Sequence, residues 1–128
     1  MKLATETITI YVPYMSEGEI EHERIVIRGA SWHQTNKADI TVSGLKSADL
    51  VNVRIPVSAF PGQYVTAEAF IPSSGEFAFK EGMTVVRGET EETYSNLIKD
   101  RGRDDLFTVL SFTDNLRGRA QHIKVVLS

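Results

Sequence analysis

Cysteine is absent from this chain of 128 residues. That absence removes disulfide scaffolds, thiolate zinc sites, iron–sulfur clusters and thiol nucleophiles together. No stretch approaches the roughly 18 consecutive apolar residues that a membrane-spanning helix requires. The opening segment MKLATETITIYV turns polar by Thr5 and lacks the apolar core of a secretory signal. Charge of neither sign dominates: 14 Lys and Arg stand against 17 Asp and Glu, a formal balance of −3. A surface given over wholly to nucleic acid would be basic. Internal repeats, low-complexity tracts and domain linkers are missing too. The expectation is one soluble, cytoplasmic domain over residues 1–128, large enough to fold without a metal or a crosslink.

What is present is a series of short alternating runs. Residues 6–12 (ETITIYV) put Ile8, Ile10 and Val12 on one face and Thr7, Thr9 and Tyr11 on the other. That is a strand signal in β-branched residues, and Pro13 is expected to end its ladder. Residues 23–28 alternate through Ile25 and Ile27, with Gly29 a candidate bulge before 30–34. Residues 49–56 place Val51, Val53 and Ile55 toward a core, and further strands are expected at 83–87, 106–113 and 121–127. Short strands at this spacing predict a mainly β fold, a small barrel or sandwich.

One segment has a different period. Tyr94, Leu97, Ile98 and Arg101 stand at helical offsets, so a single α-helix is expected over 91–101. Thr90 is the expected N-cap, Glu91 and Glu92 suit the first turn, and Gly102 suits the terminator. Three long connections remain: 14–22, 33–48 (with a short extended piece at 39–42) and 56–80. Loops of this length in a small domain usually carry function, so they are expected to present binding surface.

The usual catalytic constellations are missing. His22, His33 and His122 lack metal-ligand spacing, the serines include no Gly-x-Ser-x-Gly elbow, and the glycines form no phosphate-cradling loop. The expectation is a protein that is not an enzyme and has no cofactor. Two charge features are more specific. Glu17, Glu19, Glu21 and Glu23 alternate, so an extended backbone would point all four carboxylates to one face. Such a stripe suits bulk water, a cation, a basic partner or the repulsion of a polyanion. Arg101, Arg103, Arg117 and Arg119 group near the last strands and suit docking to an acidic neighbour. Trp32, the sole tryptophan, is expected in the core or at a subunit interface. Phe60, Phe70, Phe77 and Phe79 share the third connection, some packing on the barrel and others, Phe60 and Phe70 among them, offered to a partner.

Three islands then resemble a family of small structural proteins encoded in the head–tail gene clusters of tailed phages with Gram-positive hosts. The first is residues 8–14 with Arg28-Gly29-Ala30-Ser31-Trp32. The second is Gly44-Leu45-Lys46-Ser47-Ala48-Asp49 leading into Val53-Arg54-Ile55-Pro56. The third joins residues 82–89, Asp114-Asn115-Leu116-Arg117-Gly118 and Gln121-His122-Ile123-Lys124-Val125. The resemblance implies a non-enzymatic component of the virion neck, of the stopper or head-closure type. Such a protein would form a homo-oligomeric ring of about six or twelve copies between the portal and adaptor above and the tail terminator and tail tube below. It would lie close to packaged DNA without sequence specificity, with no membrane partner, and would assemble in the host cytoplasm. In such a ring the acidic stripe would line the channel and repel the DNA backbone.

Two alternatives stand beside this one. A tail terminator from the same gene cluster would need more helix than this chain offers. A ligand-binding barrel or interaction module outside phages would need an apolar cavity with convergent polar groups; the alternation instead predicts a filled core.

Overall fold

The structure, a computed structural model, describes residues 5–35, 50–99, 105–117 and 121–128. Along these run β1 (Glu6–Ser16), β2 (Glu19–Thr35), β3 (Leu50–Pro56), a 3-10 turn (Val57–Ala59), β4 (Gln63–Tyr64) and β5 (Glu76–Phe77). They are followed by β6 (Thr84–Arg87), α1 (Tyr94–Lys99), β7 (Leu106–Asn115) and β8 (His122–Leu127). Six strands close into an antiparallel barrel in the order β1-β2-β3-β8-β7-β6, with β6 returning to β1. The expected mainly β barrel with one α-helix is what the described residues form. Alternation explains the filling: Ile8, Ile10, Val12, Val51, Val53, Ile55, Val85, Ile123, Val125 and Leu127 all point inward and are buried. Each contributes about 1.5–3 kcal/mol on leaving water.

Gly29 does form the bulge. Arg28 pairs with Thr7 and Ala30 with Glu6, so Gly29 has no opposite number and adopts φ +97°. The extra residue flips the inward parity of β2. Ile27 faces the core before it; Ala30 and Trp32 face the core after it. A Cβ on Gly29 would also lie 3.1 Å from the Ala59 Cβ.

The first connection is not a loop. β1 runs on through Pro13 to Ser16, and β2 begins at Glu19, so residues 14–22 are the end of a hairpin. Its two-residue turn is Glu17-Gly18, with φ values of 51° and 82°, the left-handed pair that matches strand twist. Pro13 is tolerated because the β1–β6 ladder covers only Ile8 to Tyr11, leaving β1 a neighbour on one side there.

The helix begins at Tyr94, three residues later than its period suggested, and its cap lies elsewhere. Thr93 caps it: its Oγ1 accepts from the Asn96 amide at 3.3 Å, and its carbonyl accepts from Leu97 at 3.0 Å. Thr90 is instead tied to the barrel, its amide donating to Thr9 Oγ1 at 3.2 Å. Leu97 is buried with Tyr11 and Val86, whereas Ile98 is 48% exposed. Residues 88–99 thus cover the outer face of β1. Tyr11 OH donates to the Glu92 carbonyl and Thr9 Oγ1 to the Gly88 carbonyl, both at 2.7 Å. Arg101, Gly102 and the extended piece at 39–42 lie outside the described residues.

The 56–80 connection folds onto the barrel. Phe70, Phe77, Ala78 and Phe79 are buried in the core cluster, and β4 pairs in parallel with β5. Phe60 lies half-buried, edge-on to Phe77 at 5.0 Å. The ring of Phe70 therefore packs inside its own chain, because four aromatics left wet would cost more than the loop's ordering.

Candidate functional site

The acidic stripe lies on the projecting hairpin. Glu19, Glu21 and Glu23 occupy alternate positions of β2, on the face that carries Ile25 and Ile27 further along. Glu17 does not share that face, since it sits in the turn. The stripe is thus three residues long, and its ends differ. Glu23 is half-buried and accepts from the Ser73 amide at 2.6 Å, which pins the folded connection to the hairpin beside the Tyr14–Phe70 ring contact. Glu17, Glu19 and Glu21 are exposed, and no ion pair among the described residues reaches them.

On the other face of the hairpin, His22 stacks on Tyr94 with ring centroids 3.6 Å apart. Burial there pushes the imidazole below its ordinary value, because the charged form loses water. Nearer the tip, Met15 and Ile20 are cross-strand partners, 66% and 65% exposed.

The end of the barrel away from the hairpin is closed by Trp32. Phe107 meets its ring edge-on at 5.0 Å, and the Arg87 guanidinium lies 4.8 Å above it. Arg87 also forks onto both carboxylate oxygens of Glu6, at 2.7 and 2.6 Å. That hydrogen bond, more than the charge alone, holds Glu6 below the ordinary carboxylate range and raises Arg87. Because the folded value of Glu6 is depressed, its contribution is present above the ordinary value near 4.5 and lost as pH falls through the folded value. The depressed His22 acts with the same sign higher up, from near 6.5 downward. Urea midpoints measured across acid pH will therefore fall in two steps. Glu6→Gln will remove the lower step, worth about 1 kcal/mol at most because the pair is solvent-screened; an unchanged lower step would mean the fork contributes nothing.

A third region was not anticipated from the sequence. The outer face of β2, β3 and β8 carries Ser31, His33, Asn52, Arg54 and Lys124 around a shallow concavity of about 390 Å³. The register sets Arg54 directly beside Lys124, and His33 beside Asn52. Alternation alone puts Arg54 on the outside of β3, but only the pairing of β3 with β8 brings Lys124 next to it. Of the expected docking arginines, Arg117 is exposed just beyond β7; Arg101, Arg103 and Arg119 lie outside the described residues. Tyr64, near Asp114, has its hydroxyl pKa raised by burial first and by that carboxylate second. Among the described residues no group of three or more His, Asp or Glu gathers as metal ligands. No described helix is long and apolar enough to cross a membrane.

A small closed antiparallel barrel with a projecting charged hairpin defines the class of this protein. Residues 3–126 match a family of unknown function, DUF6751, and the chain belongs to that family. Comparison with curated proteins and with solved structures returns no match.

Proposed function

We propose that this protein is a non-enzymatic structural subunit of a tailed-phage neck, of the stopper type. In this reading it forms a ring that joins portal and adaptor to the tail and closes or surrounds the DNA channel. Its assembly takes place in the host cytoplasm and its working location is the virion. The observation that carries the reading is where the resembling islands fall. Their described parts lie on β1, on the bulge of β2, on β3, on β6 and at the β7–β8 return, while Gly44–Asp49 and Gly118 lie outside the described residues. These are the strands that close the barrel, so the likeness extends over the frame of the fold rather than one surface patch. The short helix counts against the tail-terminator alternative, and the filled core against a ligand barrel.

Deleting the reading frame from a phage genome that carries it tests this. The expected particles are heads that fail to hold DNA or to join tails, with the chain located between head and tail when supplied again. Infectious, tailed particles that lack the chain would overturn the reading.

A further inference from the structure

We infer that the outer face of β2–β3–β8 receives the β1–β2 hairpin tip of a second copy of this chain. Among the described residues the face is basic and uncompensated. Arg54 and Lys124 are direct cross-strand neighbours, an arrangement that repels itself, and no described carboxylate lines the concavity they share with Ser31, His33 and Asn52. Three other cations are engaged within the chain: Arg24 donates to the Thr90 carbonyl, Arg28 pairs with Glu89, and Arg87 pairs with Glu6. Arg54 and Lys124 have no such partner among the described residues. A nearby opposite charge would relieve both.

On the hairpin tip, Glu19 and Glu21 share one face and supply two carboxylates for these two cations. Both are exposed, as is Glu17 in the turn, whereas the exposed Met15–Ile20 pair lies on the opposite face of the hairpin and takes no part in the contact. Beyond Tyr11, β1 has no β6 partner; Val12 is still buried and Tyr14 still packs on Phe70, and the tip beyond them is largely exposed. The tip cannot reach the face of its own chain. Glu19 and Ser31 are held on one strand, twelve positions apart (31 − 19), a separation of about 40 Å. The contact is therefore between copies and unlike on its two sides, the kind that closes into a ring by rotation. A polyanion fits less well. Two permanent charges on a chain of net −3 are few against the several phosphates that nonspecific DNA binding engages.

This inference deepens the ring reading, supplies its subunit contact, and gives the tip carboxylates a docking role in place of channel lining. Sedimentation velocity on the full chain tests it. The wild type is expected to self-associate, less so at high salt. E19K/E21K and R54E/K124E should each weaken association by more than about tenfold, because each sets like charges together. Mixing the two variants should restore it, since a basic tip then meets an acidic face and an acidic tip a basic one. E19Q/E21Q, a milder change, should weaken association without repulsion. A wild type that stays monomeric, a reversed variant that associates normally, or a mixture that stays dissociated would each overturn the interface. So would loss of duplex-DNA binding in R54E/K124E with self-association intact. Restored association in the mixture with no chain in the neck would instead sink the virion placement and leave the interface standing.

Discussion

Truncating Phe77 to alanine will destabilise the domain by about 3–5 kcal/mol. Phe77 is fully buried and central to the aromatic cap: Phe60 meets it edge-on at 5.0 Å, Tyr64 lies at 5.4 Å and Phe79 meets it edge-on at 6.1 Å. Each such ring pair adds about 0.5–1.5 kcal/mol beyond the area it buries. The space left by the ring cannot collapse easily, because β5 is held to the chain around it by the Val65 amide donating to the Phe77 carbonyl at 3.0 Å. Urea unfolding should report the loss, and the thermal midpoint should fall by about 10–20 °C. Phe60→Ala, at a half-buried ring, should cost clearly less. A Phe77→Ala loss below about 1 kcal/mol would mean that the 56–80 segment does not seal the barrel.

Gly62→Ala should cost about 2–4 kcal/mol, for a different reason. A Cβ at this position would lie 1.8 Å from the Gly75 carbonyl oxygen and 2.8 Å from its carbon. Both obstacles are backbone, so no side chain can rotate away. Relief requires moving β4 off β5, which breaks the hydrogen bond from the Gln63 amide to the Gly75 carbonyl at 3.0 Å. Gly75→Ala is the control. Its φ of 82° strains any Cβ-bearing residue by about 1–2 kcal/mol, yet nothing lies within 4 Å of the added atom. Limited proteolysis of residues 57–80 together with urea midpoints separates the two. Equal losses would show that β4 and β5 do not pack as closely as described.

Both variants lie in a segment whose role was only half legible. Three prolines and two glycines between 56 and 75 read as a loop, because turn residues conceal the strand pairs that such a segment forms with itself. The aromatics were visible, but whether a ring turns inward or toward a neighbour depends on the packed surface beneath it. The hairpin was likewise half legible, its carboxylate stripe suggesting an extended arm while residues 14–22 read as a connection. A carboxylate at every second position has the period of a strand without its apolar content, and Pro13 reads as an end when only one neighbouring strand needs its hydrogen bonds.

The local period of the sequence determined the barrel's inward residues on β1 and β3, the bulge at Gly29 and the presence of one helix. These follow from alternation, handedness and capping, which act over a few residues and are written into neighbouring positions. Tertiary structure alone decided which strands lie side by side. That choice set Arg54 against Lys124, stacked His22 on Tyr94, and forked Arg87 onto Glu6, residues 81 positions apart in the chain. Pairings between distant segments arise from the closing of the whole sheet, and no local pattern encodes them.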